Sequence, residues 1–339
     1  MDTQSLLSEA PAGPTARPAG MRGWWLGLAV LVLLASLVLG AYIGPAGGIS
    51  AANWDLIWNV RMPRVVLAGL VGAMLSVAGA SYQGAFRNPL ADPYLLGVAA
   101  DSGLGATIVF VTGRASTAEW IIDPLPLASF VGGLLAVFVT YLVGSAFASQ
   151  KSPVTLVLAG VAITSLVTAI QTFVLYRNSD VIREVYSWIL GRLSTATWRD
   201  VKLVAPYIVG SCIVLMMYRR QLDILRVGDE EATSLGMRVS RTRLIVVVAA
   251  TLGTAAAVSV SGLIGFVGIV IPHAIRMIFG ASYRRVIPLS IVLGAAFLIL
   301  TDIPGRVLNH GAETPIGVVT AFFGAPFFIV VLMRRRLTQ

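Results

Sequence analysis

Long apolar runs alternate with short polar ones along nearly the whole chain. Ten runs approach the roughly 20 residues that a helix needs to cross a hydrocarbon core. They are residues 24–42, 65–84, 94–112, 125–148, 154–176, 203–218, 244–260, 263–279, 286–304 and 316–333. Asp101 and several glycines interrupt the third. Gly324 and Pro326 predict a kink in the tenth. The first, Trp24 to Ala41, is longer than the roughly 7–15 residues of a signal-peptide core and reads as a spanning helix. The pattern predicts an all-α integral membrane protein of about ten transmembrane helices, with one permease-like domain over 23–336.

The polar interruptions differ in kind. Residues 1–22, rich in Pro, Ala and Gly, read as a disordered tail. Within 177–202, Val185, Trp188, Ile189 and Leu193 fall at helical spacing. That segment reads as a short interfacial helix on the membrane surface or as a helix capping the bundle. Residues 226–239, "RVGDEEATSLGMRV", form a small polar helix between glycines, with Asp229, Glu230 and Glu231 suited to the positive end of its dipole. "GAMLSVAGASYQGAFRNP" (72–89) and "GTAAAVSVSGLIGFVGIVIP" (253–272) share small-residue spacing and a terminal Pro. Their expected opposite directions are those of an inverted repeat.

Composition agrees with this class. Of 339 residues, 57% are hydrophobic and 12% charged, about half the charged share of a soluble domain. The net charge of +9 comes mostly from arginines at the ends of apolar runs, a placement that orients membrane helices and does not suggest nucleic acid. Alternate loops carry unequal numbers of Arg and Lys. The richer set includes Arg219 to Arg243, Arg284, Arg285 and Arg334 to Arg336, which predicts a cytoplasmic location for both termini. Cys212 is the single cysteine, so an internal disulfide is impossible.

Candidate chemistry is sparse. Lys151 and Lys202 are the only lysines and neither lies in a phosphate-binding loop, so ATP is not expected on this chain. No metal-spaced Cys/His cluster or catalytic triad is present, and neither a metal site nor a catalytic residue is expected. His273, after Pro272, reads as a local hydrogen-bonding residue. Asp101 and Asp302 are the acids within the runs, too few for a proton relay. Arg61 and Arg64 in "RMPR" lie three apart on one helix face, with Pro63 suited to a first turn. Arg306 lies at the same predicted side.

Four segments carry a resemblance. "NPLADPYLLGV" (88–98), "GDEEATSLG" (228–236), "GFVGIVIPHAIRM" (265–277) and "ETPIGVVTAFFGAPFFIVVL" (313–332) closely resemble the signature segments of FecCD-type permeases, in order and spacing, over about 55–336. These are membrane subunits of ABC importers for iron-siderophores, haem and vitamin B12. The resemblance implies a ten-helix bundle like that of the vitamin B12 importer permease (a type II ABC importer) in the cytoplasmic membrane. It also implies a second permease chain, two cytoplasmic ATPases that hold ATP and Mg, and an extracytoplasmic binding protein. Coupling to the ATPase would fall on Gly228, Asp229, Glu230, Ala232, Leu235 and Gly236. Docking of the binding protein's acids would fall on Arg61, Arg64 and Arg306. An inner gate would fall on the turn with Ser152, Pro153, Val154 and Thr155. The expected substrate is a ferric siderophore, with haem or cobalamin as alternatives. The reading from another class is an ion-coupled transporter acting alone.

Overall fold

The computed structural model describes residues 24–44, 54–113, 123–146, 153–307 and 313–336. Among them no strand occurs. The helices are α1 (Trp24–Tyr42), α2 (Trp54–Ala85), α3 (Val98–Val111), α4 (Pro124–Ala146), α5 (Pro153–Arg177), α6 (Ile182–Ile189) and α7 (Trp198–Met217). They continue with α8 (Arg219–Leu225), α9 (Asp229–Ser234), α10 (Val239–Ser261), α11 (Val267–Phe279), α12 (Tyr283–Val307) and α13 (Ile316–Arg336). Each of the ten predicted runs has its helix. Seven, α1, α2, α4, α5, α7, α10 and α12, have the length and composition to cross a membrane, while α3, α11 and the apolar part of α13 are shorter.

Six helix starts differ from the apolar pattern by three residues or more, at α2, α3, α7, α10, α11 and α12, and two of them show why. The second run was expected from 65, but its helix starts at Trp54, so Pro63 lies inside it. A proline ring clashes with the carbonyl four residues back. The chain runs as a π-helix over Ile57–Arg61 just before it, a widened turn that suits such a conflict. The sixth run was expected from 203, but α7 starts at Trp198. Thr197 Oγ1 accepts the Asp200 N–H, and Asp200 Oδ2 accepts the Thr197 N–H at 2.8 Å. This reciprocal cap carries the helix into the polar stretch.

Three helices, α2, α10 and α12, form the centre, with most of the apolar stretch of each buried. Glycines allow this packing. A Cβ on Gly72 of α2 would lie 2.3 Å from the Gly294 carbonyl oxygen of α12. One on Gly79 would lie 2.0 Å from the Gly268 carbonyl oxygen of α11. Lipid supplies no hydrophobic drive between helices, so close backbone contact takes its place.

The two echoing segments share a layout. Each is a long buried helix, a break, and a short helix whose preceding residue is left-handed: Gly97 at φ 93° before α3 and Phe266 at φ 69° before α11. The breaks touch. Tyr94 Oη accepts the Ile264 N–H at 3.0 Å and donates to the Ile264 carbonyl at 3.1 Å. Gln83 Nε2 donates to the Ala91 and Gly268 carbonyls at 3.1 and 3.0 Å. Non-helical backbone within a membrane protein needs partners of this kind.

The segment after α5 caps the bundle. Val185 and Trp188 of α6 are buried, Trp188 packing in one cluster with Ala106 and Val109 of α3, Leu125 of α4 and Val258 of α10. Its apolar face therefore turns into protein. Leu193, expected on the same helix, lies beyond its end and is buried as well.

Candidate functional site

Polar side chains gather at two levels of α2, around Arg64, ten residues into the helix, and around Ala85 at its end. Arg64 and Ala85 are 21 residues apart, which is about 32 Å of helix and close to the hydrocarbon thickness.

At the Arg64 end the three predicted arginines come together. Arg64 forms a bidentate pair with Asp302 of α12, with both contacts at 2.9 Å, and its Nη1 donates to Glu313 at 2.8 Å. Arg306, one turn after Asp302, donates to it through Nε at 2.7 Å and again through Nη2, and Nη1 reaches the Gly40 carbonyl at 2.9 Å. Arg61 directs Nη1 at the Tyr42 and Ala41 carbonyls at the end of α1, at 3.1 and 3.3 Å. The family resemblance implies an outward docking surface for these arginines. In this chain they lie below the surface, at 5%, 9% and 5% exposure, engaged with Asp302, Glu313 and helix-end carbonyls. Glu313, with its side chain 41% exposed, is the acid that opens to solvent. It stands just before α13 and was found in the sequence only as part of a signature segment.

At the Ala85 end, α8 and α9 sit against the starts of α10 and α12. Gly228 precedes α9 at φ 136°, and Gly236 ends it at φ 82°. The Met237 N–H reaches the Ala232 carbonyl at 3.0 Å and the Gly236 N–H the Thr233 carbonyl at 2.9 Å. This Schellman closure lets a six-residue helix stand between two longer ones. Asp229 accepts both contacts from Arg243 Nη2, at 2.9 and 3.0 Å, while Arg243 Nε donates to the Ala85 carbonyl at 2.9 Å. Asp229 thus ties α9 to α2 and α10. Ala232 is fully buried, so of the small apolar face expected on α9 it belongs to the inner side. Glu230, Glu231, Leu235 and Gly236 are exposed, with Leu235 at 70% and Val227 at 60%. Asp223 of α8, which no motif marks, accepts from the Tyr283 N–H at 2.7 Å and Ser282 Oγ at 2.8 Å and so caps α12. An acid near a helix start across 59 residues leaves no local signal.

Between these ends the interior is nearly uncharged. An open groove of about 590 Å³ is lined by Leu190, Leu263, Gly265, Gly317 and Phe322 among other small and apolar residues. It sits where α6, the break before α11 and the start of α13 meet. Asp101 stands in the first turn of α3, and its Oδ2 is buried with no hydrogen-bond partner. His273 of α11 stands half-buried, its ring 6.2 Å from that of Phe327. In the break outside the helices, burial pushes the Asp92 carboxyl up to about 6, against the Tyr94 N–H that it accepts at 2.8 Å. Of the predicted gate, Ser152 lies outside the described residues, Pro153 opens α5 and Thr155 is half-buried in its first turn.

Helices of membrane length, an open apolar groove and polar groups towards both sides are features that a membrane permease would have. The FecCD transport family model matches residues 28–334, and the chain belongs to that family of ABC transporter permeases. The chain is 36% identical to the cobalamin import system permease protein of Halobacterium salinarum, over 88% of this chain and 79% of that one. It is 34% identical to the hemin transport system permease protein of Yersinia pestis, over 94% and 97% of the two chains. In structure it is similar to a protein reported as a metal-chelate type ABC transporter in an inward-facing conformation. That match has a TM-score of 0.83 and 28% identity and covers 92% of this chain and 99% of the other.

Proposed function

We propose that this chain is the membrane subunit of a binding-protein-dependent ABC importer that moves a bulky metal chelate, a ferric siderophore first, across the cytoplasmic membrane. Haem and cobalamin are the alternative cargoes. The observation that carries this reading is the near end-to-end likeness in fold to the metal-chelate type transporter, over 92% of the chain. The cargo is substrate and not a resident cofactor. The groove beside α6 and α13 suits it: apolar, open and without charged lining, it can pass a large chelate without holding it.

Partners follow from the two polar ends. The α8–α9 end receives the ATPase, which holds ATP and Mg, with Leu235, Val227, Glu230 and Gly236 as contacts and Asp229 and Gly228 shaping the helix. The Arg64 end receives the binding protein and faces out, and both chain termini lie in the cytoplasm. Arg61, Arg64 and Arg306 hold this surface from below. Glu313 occupies the one Arg64 contact that an incoming acid could take. A second permease chain, identical or similar, packs on the exposed apolar side of α13, where Phe322 and Phe323 are 74% and 55% exposed. The segment 151–155, whose described part opens α5, is the inner gate in this reading.

Reconstitution in liposomes tests it. With ATPase subunits and a loaded binding protein, ferric chelate uptake requires ATP. Uptake driven by an ion gradient without any ATPase would sink the proposal and favour a transporter acting alone. For docking, Glu313→Gln is the cleaner variant, because reversing a buried arginine also breaks the Asp302 cluster. It is expected to tighten binding-protein affinity at low salt, and unchanged affinity removes Arg64 from the docking assignment.

A further inference from the structure

We propose that the turn joining α11 to α12 binds the phosphate headgroup of an anionic phospholipid, on the side of the membrane where α8 and α9 lie. Four arginines converge there. Arg226 Nη1 donates to the Ala281 carbonyl at 3.0 Å, and Arg285 Nη1 to the Phe279 carbonyl at 2.8 Å. The two guanidiniums are thus held on carbonyls two residues apart. Arg276 reaches back to Gln83 Oε1, and its Nη1 is buried with no hydrogen-bond partner. Arg284, with an exposed side chain, adds a fourth charge.

One carboxylate, Asp223, is paired with any of these arginines among the described residues. It stands 3.8 Å from Arg226 and 3.8 Å from Arg284, while its short bonds go to Ser282 and Tyr283. Arginines that only orient a membrane helix can each point to water. Here Arg226 and Arg285 are fixed on backbone carbonyls and Arg276 on Gln83, around a single carboxylate, and an anion with several acceptor oxygens offsets the excess charge.

The apolar surroundings select a lipid over a soluble anion. The last turn of α11 exposes Met277 at 58% and Ile278 at 66%. Trp25 of α1 meets Phe279 edge to face at 4.9 Å and stacks on Trp24, which is 52% exposed. Indole rings favour the headgroup level. Acyl-chain surface therefore lies directly beside the cationic turn, the arrangement of a basic headgroup pocket between helices.

Native mass spectrometry of the full chain in detergent tests the site, with equimolar phosphatidylglycerol and phosphatidylcholine of identical acyl chains. Phosphatidylglycerol is expected to be retained about tenfold more. Arg284→Gln with Arg285→Gln should abolish the preference. Arg238→Gln with Arg241→Gln removes the same charge from exposed positions near α9 and should preserve it. If the first double variant fails to fold, Arg226→Gln, whose side chain is exposed, carries the same expectation. Equal retention of both lipids by the parent overturns the proposal and leaves the arginines to a soluble partner's acids. So does equal loss of the preference in both double variants. Displacement of the lipid by excess inorganic phosphate makes it a soluble-anion site and overturns it too.

Discussion

Asp302 is 2% exposed and carries two buried guanidiniums, whereas Glu313, on the same Arg64, has a side chain 41% exposed. Burial decides what each is worth. Asp302→Asn strips the charge between Arg64 and Arg306 and is expected to cost about 3–5 kcal/mol. Glu313→Gln breaks a solvated pair and should cost under about 1 kcal/mol. Thermal unfolding in detergent separates the two, and equal losses would refute this ranking. Asp92 gives a pH effect. Its folded pKa, about 6, lies above its ordinary 3.8. The native state therefore holds its proton longer than the unfolded state. The associated stability is complete below about 3.8 and is lost as pH rises through about 6. Asp92→Asn keeps an acceptor for the Tyr94 N–H and should flatten the stability curve between about pH 4 and 6. An unchanged curve would assign that slope to other groups. The sequence marked Arg61, Arg64, Arg306 and Asp302 as charges at span ends. Arg64 and Asp302 are 238 residues apart, so their pairing had no local sign.

For whole elements, apolar length was a good guide to which helices exist and a poor one to where they start. The run beginning at 65 hid an earlier start at Trp54, because Trp54 to Arg64 mixes apolar and polar residues around Pro63. The start of α7 was missed for the opposite reason, since Thr197 and Asp200 make a cap inside what read as a polar loop. Packing between elements depends on backbone approach. Gly79→Ala would set a methyl group 2.0 Å from the Gly268 carbonyl oxygen. It must part α2 from α11 and should cost roughly 1–3 kcal/mol. Gly210, with nothing within 4 Å of its Cβ position, is the matched control in a helix of the same bundle. Lower monodisperse yield and melting temperature for Gly79→Ala but not Gly210→Ala are the expected result. Parity between them would show that α11 gives way freely.

On the scale of the molecule, α2 and α12 each run from one polar end to the other. α2 joins Arg64 to the Ala85 carbonyl held by Arg243, and α12 joins the Asp223 cap to Asp302 and Arg306. The pair links the two surfaces on which the proposed partners act. If α9 is the ATPase contact, Leu235→Asp should lower stimulation of ATPase activity by loaded binding protein about tenfold, the effect of roughly 1.4 kcal/mol at the interface. The helical fold should stay intact, since Leu235 is 70% exposed. Full stimulation in that variant would move the coupling contact elsewhere.

The sequence by itself determined the class of this protein, its ten apolar helices and its family. Bilayer thickness fixes a run length that can be read locally, and the signature segments are local as well. It also placed the polar segment 226–239 between two apolar runs, although the helix within it is shorter, Asp229–Ser234. Only the tertiary structure decided which face of that helix is free: Asp229 and Ala232 turn inward, Leu235 outward. Only it brought Arg64 to Asp302, Asp223 to Tyr283 and Tyr94 to Ile264. Hydropathy is summed along the chain, whereas each polar pairing depends on how segments distant in sequence pack, and in a low-dielectric bundle such groups must find their partners there.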